Sequence, residues 1–243
     1  MNDKADSHHR FQTTRWSMVR GAACQSGSDQ SKHALAELCE LYWPPLYAYL
    51  RRCGLSPADS EDMVQGFFAR LLEREDFGSL SPEKGRFRSF LLASLKHFLS
   101  NERDRARTIK RGGKARTISL ECDEAERNFT LYAAQNETAE VVFERQWALT
   151  MLHTAKNRLI EEQGAQDQKL SHALIAYLTP DASLPTYADV AKEFAVSEGS
   201  VKMAISRMRK RYREILRSEI AQTVSSPQEI EEELQHLISA LQS

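Results

Sequence analysis

The apolar positions of this chain recur three and four residues apart. After Ser197, the residues Val201, Ile205, Met208, Tyr212 and Ile215 fall at i, i+4, i+7, i+11 and i+14, one continuous stripe for burial on a helix. The same rhythm predicts a helix from Lys32 to Cys53 with Leu35, Leu38, Tyr42, Leu46 and Leu50 inward, although Pro44 and Pro45 imply a kink or break within it. Gly54–Pro57 reads as a turn. Ser56 with Asp59 then signals the start of a helix over Pro57–Arg74. That helix has a broad apolar arc (Met63, Val64, Phe67, Phe68, Leu71, Leu72) and a polar arc of Asp59, Asp62 and Gln65. Following a loop at Glu75–Gly85, a helix from Arg86 to Thr108 opens aromatic and apolar, with Phe87, Phe90, Leu91, Leu95 and Phe98, and closes strongly basic.

Ile109–Asn136 has no sustained period, contains Gly112–Gly113 and reads as a linker. Further helices are predicted over Ala139–Gln163 and Gln168–Leu178. Near the N-terminus, Thr14 caps a short predicted helix through Ala23 that carries Trp16 and Val19, ahead of a Gly/Ser-rich break. Beyond Pro227 a short acidic helix places Ile230, Leu234, Leu237, Ile238 and Leu241 on one face. Such a helix completes a core or docks within the chain in preference to serving a partner, and folding back to inhibit a DNA-reading face is a further hypothesis. With only 10 Gly and 7 Pro among 243 residues, and strong helix formers in nearly every segment, the expected fold class is all-α.

Charge changes the picture through its distribution, not its total. Lys plus Arg (33) nearly balances Asp plus Glu (34). Yet Asn101–Arg116 and Lys202–Arg217 are basic, whereas Glu121–Glu144 and the residues after Ser218 are largely acidic. Local potential, more than net charge, governs binding to nucleic acid.

Thr186–Arg217 brings that charge to a defined surface. Thr186 caps a helix that buries Val190, Ala191 and Phe194, Ala195 and Val196 make a tight turn, and Ser197 caps the second helix. At roughly 100° per residue, the pole opposite the buried stripe carries Gly199, Met203, Ser206 and Lys210, flanked by Lys202 and Arg207. Small and basic residues on the first turns of such a helix suit entry into a major groove. Two-helix hairpins and solvated charged faces are common. A solvated helix, however, mixes its signs, and here seven basic residues between Lys202 and Arg217 oppose Glu214 alone.

Other chemistries find little purchase. No apolar run approaches membrane-spanning length and the N-terminal residues lack a signal-peptide apolar region, so a cytoplasmic protein without membrane association is expected. Cys24, Cys39, Cys53 and Cys122 lack metal-type pairing, so neither a metal nor a cofactor is expected. No nucleophile elbow, phosphate loop, zinc signature or triad is present, and the acid pairs Glu61/Asp62 and Glu161/Glu162 point apart on their helices. No catalytic residue is assigned, and an enzyme is not expected.

Two blocks in order resemble a known family. DSEDMVQGFFARLL (Asp59–Leu72) followed by GRFRSFLLASLKHFLSNERDRAR (Gly85–Arg107) is similar to the first domain, and SEGSVKMAISRMRKRYREIL (Ser197–Leu216) to the second domain, of the extracytoplasmic-function branch of the bacterial RNA polymerase sigma-70 family. The resemblance covers about Leu35–Arg116 and Ala139–Ile220. It implies an N-terminal extension with a short helix (1–30), a domain for core polymerase and the −10 element (31–116), a flexible linker (117–138), a helix-turn-helix domain for the −35 element (139–220) and an acidic tail helix (221–243).

By position in those motifs, Asp59, Asp62 and Gln65 would contact core polymerase. Lys96, His97, Asn101, Arg103 and Arg105 would contact the −10 element and its freed strand. Phe87 and Phe90 suit stacking with unpaired bases, but at their spacing are read as core. Lys202, Met203, Ser206 and Arg207 would read the −35 element, and Arg209, Lys210, Arg211 and Arg213 would hold phosphates. The family often has Asn where His97 stands, and Ala195 stands where many helix-turn-helix proteins keep a turn glycine. The implied partners are core RNA polymerase and promoter DNA, with an anti-sigma factor or another regulator as a candidate. The alternative is a helix-turn-helix repressor or activator that works without core polymerase, dimerises and binds a palindrome.

Overall fold

The computed structural model describes residues 29–73, 86–108, 125–127, 129–130, 137–162, 168–178, 184–224 and 226–242. The expected helix at Thr14–Ala23 and the Gly112–Gly113 stretch of the linker lie outside them, as do the side chains of Leu35 and Leu72. Among the described residues the fold is all-helical. The helices are α1 (Asp29–Arg52), α2 (Pro57–Glu73), α3 (Phe87–Thr108), α4 (Ala139–Glu162), α5 (Gln168–Ile175, continued by a 3-10 turn at Ala176–Leu178), α6 (Tyr187–Glu193), α7 (Glu198–Ala221) and α8 (Pro227–Gln242). None is long and apolar enough to cross a membrane.

α1 is continuous through Pro44 and Pro45, so of the kink or break that the sequence implied, the break is not there. Each interior proline costs about 3 kcal/mol in lost hydrogen bonding and ring clash. Around them Tyr42, Trp43, Leu46, Tyr47 and Leu50 are all buried, and each such side chain returns about 1.5–3 kcal/mol. Burial on both sides of the helix therefore outweighs the pair. α1 ends at Gly54, whose φ of 90° lets Gly54 N–H reach Arg51 O (3.0 Å) and Leu55 N–H reach Leu50 O (3.2 Å), a Schellman closure that favours glycine. α2 then starts as predicted, with Asp59 N–H donating to Ser56 Oγ at 3.2 Å.

The chain divides into two compact units, Met1–Thr150 with Ile220–Ser243, and Met151–Glu219. In the first, Tyr42 and Leu46 of α1, Val64 and Phe67 of α2, Phe87, Leu91 and Leu95 of α3, and Phe143 and Trp147 of α4 form the core. Residues after Ile220 belong to this core as well. Phe87 N–H donates to Thr223 O at 3.1 Å, Arg86 and Val224 pair as an isolated antiparallel bridge, and α8 buries Ile230, Leu237 and Ala240.

What joins α3, α4 and α8 is a charge. Arg88 is only 5% exposed. Its Nε donates to both carboxylate oxygens of Glu233 (3.1 and 3.0 Å), and its Nη1 to both of Glu144 (2.6 and 2.6 Å). The guanidinium also lies 5.0 Å from the centre of the Trp147 ring. Glu233 is 1% exposed and receives Arg86 Nε at 3.4 Å, while Arg86 also pairs with Glu232. His236 Nε2 lies 2.9 Å from Glu144 Oε2, and Trp147 Nε1 donates to the buried Tyr42 hydroxyl at 3.1 Å. Burial, with the charge of Glu233, raises the Tyr42 phenol above its ordinary range.

A second network lies at the end of α1. Arg51 donates to Glu126 from Nε and Nη2 (2.8 Å each), and Tyr47 adds a hydroxyl at 2.8 Å. The Arg51 hydrogen bonds, reinforced by that of Tyr47, outweigh burial and hold the Glu126 carboxyl below its ordinary value.

Two outcomes are expected in urea unfolding of the full chain, followed by tryptophan fluorescence. Glu233→Ala leaves Arg88 buried with one carboxylate gone and should cost about 3 kcal/mol, most of it recovered in Arg88→Met with Glu233→Leu. A double variant no better than Glu233→Ala would deny the network its anchoring role. A carboxylate with a depressed folded pKa stabilises above its unfolded pKa and loses that contribution as pH falls through the folded value. The stability gap between the natural chain and Glu126→Gln should therefore be full at about pH 7 and close below about pH 4. A gap indifferent to pH would contradict the pairing.

Candidate nucleic-acid interface

The helix pair α6–α7 is set by its ends. Asp189 N–H donates to Thr186 Oγ1 (3.2 Å) and Thr186 N–H to Asp189 Oδ2 (3.1 Å), a reciprocal capping box. The Thr186 hydrogen bonds hold the Asp189 carboxyl below its usual range. α6 closes with Ala195 N–H to Lys192 O (3.4 Å) and Val196 N–H to Ala191 O (3.0 Å). This is again a Schellman closure, and it puts Ala195 at φ 52°. A Cβ in that left-handed region costs about 1 kcal/mol, which a glycine would avoid. Ser197 then caps α7, accepting from Ser200 N–H at 3.1 Å.

The predicted stripe is buried at Val201, Ile205, Met208 and Ile215, with Val190 and Ala191 of α6; Phe194 and Tyr212 are half-buried. Met151, Ala155 and Leu159 of α4 and Leu174 of α5 complete this unit's core. The Tyr212 hydroxyl donates to Leu152 O at 3.1 Å, and burial pushes it up to about 12. Arg158 pairs with Glu219, itself 1% exposed. α7 is thereby held with one side fixed.

Its other side carries the sequence-predicted readers, and Lys202, Met203, Ser206, Arg207 and Lys210 are all exposed. Lys202 Nζ lies 2.7 Å from Glu198 one turn earlier, and that hydrogen bond raises its pKa. The basic set is thus less uniform than its sequence. Arg209 spends its Nε and Nη2 donors on Tyr177 O, a carbonyl within the 3-10 turn, at 3.1 and 2.8 Å. Arg211 grips both oxygens of Glu162 on α4 at 2.7 Å each, with Glu214 at 3.1 Å. The Arg211 hydrogen bonds lower the Glu162 carboxyl. Arg213 donates to Arg209 O at 3.1 Å.

In the first unit, α3 places Lys96, His97 and Asn101 on its exposed surface; the side chains of Arg103 and Arg105 lie outside the described residues. Lys96 Nζ is 2.7 Å from Glu140 Oε1 at the start of α4 and 6.0 Å from the centre of the Tyr49 ring. Its hydrogen bond lowers the Glu140 carboxyl. Phe87 is fully buried and Phe90 half-buried, their ring centres 6.2 Å apart. On α2, Asp62 and Gln65 are exposed one turn apart, and Gln65 Nε2 donates to Glu61 Oε1 at 3.2 Å. Asp59 is also exposed, but its carboxylate accepts from the Ser56 hydroxyl at 2.6 Å as part of the cap.

No protein-family model, curated protein or solved structure matches this chain. The functional reading rests on the residues themselves.

Sequence reasoning missed the partners of the cations. The acidic block before Glu144 was visible as charge segregation, but nothing in its spacing linked Glu140 to Lys96. Glu162 lies 49 residues before Arg211. The Arg209 contact to a main-chain carbonyl leaves no trace in side-chain patterning at all.

The strain at Ala195 is directly testable. Ala195→Gly should stabilise the second unit by about 0.5–1 kcal/mol, read as a higher urea midpoint. A lower midpoint would mean that the left-handed turn is absent in solution.

Proposed function

We propose that this chain is a sigma factor of the extracytoplasmic-function type, a non-catalytic subunit that brings core RNA polymerase to a class of promoters and helps open the duplex. The observation that carries the reading is the exposed pole of α7, where Lys202, Met203, Ser206 and Arg207 project from the first turns of a helix set by a tight turn. It is supported by the order of motifs, since an acidic helix and then an aromatic-to-basic helix precede that pole in the sequence.

In this reading α6 and α7 form a helix-turn-helix. α7 enters the major groove, where arginine and lysine reach guanine edges and serine reaches either base. Lys210, Arg211 and Arg213 hold phosphates, Arg211 exchanging Glu162 for the nucleic acid. Arg209 holds the helix through Tyr177 O and serves DNA only indirectly. On α3, His97, Asn101, Arg103 and Arg105 receive the melted −10 strand, and Lys96 joins them by releasing Glu140. Strand opening needs such cations close to the freed phosphates. Asp62 and Gln65, with Asp59 beside them, dock on core polymerase. The place of action is the cytoplasm, and an anti-sigma factor or other regulator is the candidate restraint.

The two roles separate by mutation. Lys202→Ala with Arg207→Ala should abolish −35-dependent initiation, each change costing about 1–3 kcal/mol of promoter affinity, while co-elution with core polymerase in gel filtration is unchanged. Asp62→Arg with Gln65→Ala should abolish co-elution with core polymerase, and initiation with it. Loss of core binding in the first variant would contradict the assignment. Dimeric binding to a palindrome without polymerase would replace it with the repressor reading.

A further inference from the structure

Resting on that reading of α7, we infer that Met203 is a base-specific reader of thymine, recognising its C5-methyl group in the major groove. Met203 is the most exposed large apolar side chain among the described residues, at 62%, against 55% for Ile238, 38% for Leu241 and 37% for Val196. The rest of the α7 stripe shows what the helix does with apolar residues it does not present, since Val201, Ile205 and Met208 are each 6% exposed or less. At about 100° per residue, Val201 and Ile205 lie about 160° round the helix from Met203 on either side. Met203 therefore points directly away from the core, at the centre of the pole between Lys202 and Arg207.

Its surroundings fit a close approach. One turn earlier stands Gly199, where a Cβ would find nothing nearer than Ser197 Oγ at 3.8 Å. Packing does not require the glycine, yet its lack of a side chain leaves the helix surface low beside Met203. One turn later, Ser206 is likewise small and exposed. A long, flexible thioether between two small residues can lie along a groove wall and adjust to it. The major groove offers one strongly apolar feature for it to cover, the thymine methyl, since the other base edges there present hydrogen-bond donors and acceptors.

The test removes the methyl from the DNA and the thioether from the protein. Promoter duplexes recovered from transcription by the full chain with bacterial core polymerase serve as probes. Should no polymerase-dependent start arise, duplexes selected from a random library by the full chain alone take their place. Each thymine of the recovered motif is replaced singly by deoxyuridine, which lacks only the methyl.

The natural chain should lose about fourfold in affinity at one thymine, the worth of about one buried methyl group. Met203→Ala should be indifferent to that replacement while keeping its dependence on the other bases, and Met203→Leu should retain the sensitivity. Because Met203 is exposed, neither variant threatens folding. No uracil-sensitive position, or equal sensitivity in Met203→Ala, overturns the inference. Unchanged base selectivity with weakened polymerase association in Met203→Ala would assign the side chain to a protein contact and overturn it too. Failure to start transcription with successful library selection would sink the sigma-factor reading alone; failure to enrich any duplex by either route sinks both.

Discussion

The Arg88 guanidinium has been taken out of water, and in the first unit two carboxylates meet it there. An isolated buried ion is untenable, and the effective penalty after relaxation is still several kcal/mol per charge. Glu144 lies 56 residues away along the chain and Glu233 lies 145 residues away. The requirement to neutralise one side chain at the start of α3 thus fixes where α4 begins its packing and where the C-terminal helix must dock. Trp147 closes the site over the guanidinium and is in turn tied to Tyr42. Four helices from distant parts of the sequence share one electrostatic constraint.

That constraint gives the acidic tail a structural role. Glu232 and Glu233 meet Arg86 and Arg88, and Ile230, Leu237 and Ala240 fill the core behind them. A helix so integrated completes the unit that carries α3. In the second unit the same rule sorts the arginines of α7. Arg209 and Arg211 reach across to Tyr177 O and Glu162 and brace the helix against its own unit, while Lys202, whose partner Glu198 stands on the same helix, stays with Arg207 and Lys210 on the other pole. Position on the helix, more than number of charges, decides which cations are available to a ligand.

Much of this was legible beforehand, because helical periodicity and capping are local. The stripe Val201–Ile215, the Thr186 and Ser197 caps, the turn at Ala195 and the starts of α2 and α8 follow from residues within one or two turns of each other. The continuity of α1 through Pro44 and Pro45 did not, because it depends on how completely Tyr42, Trp43 and Tyr47 are buried by other helices. Nor did Arg88, which reads in sequence as one more cation in a helix that becomes basic. Its burial depends on carboxylates that the chain supplies much later, and no local pattern announces that. The exposed candidates on α2 and α7 were found by the complementary logic that a residue opposite an apolar stripe is presented to solvent, whereas those on α3 came from the motif resemblance alone.

The central claim is that these presented surfaces act together on polymerase and promoter. Its most direct test is reconstituted transcription with purified bacterial core polymerase and genomic promoter fragments, mapping start sites with and without the protein. The account predicts discrete new starts that require the protein and share a common pair of upstream elements. Tight DNA binding by the protein alone, with no new start sites in the presence of polymerase, would contradict it.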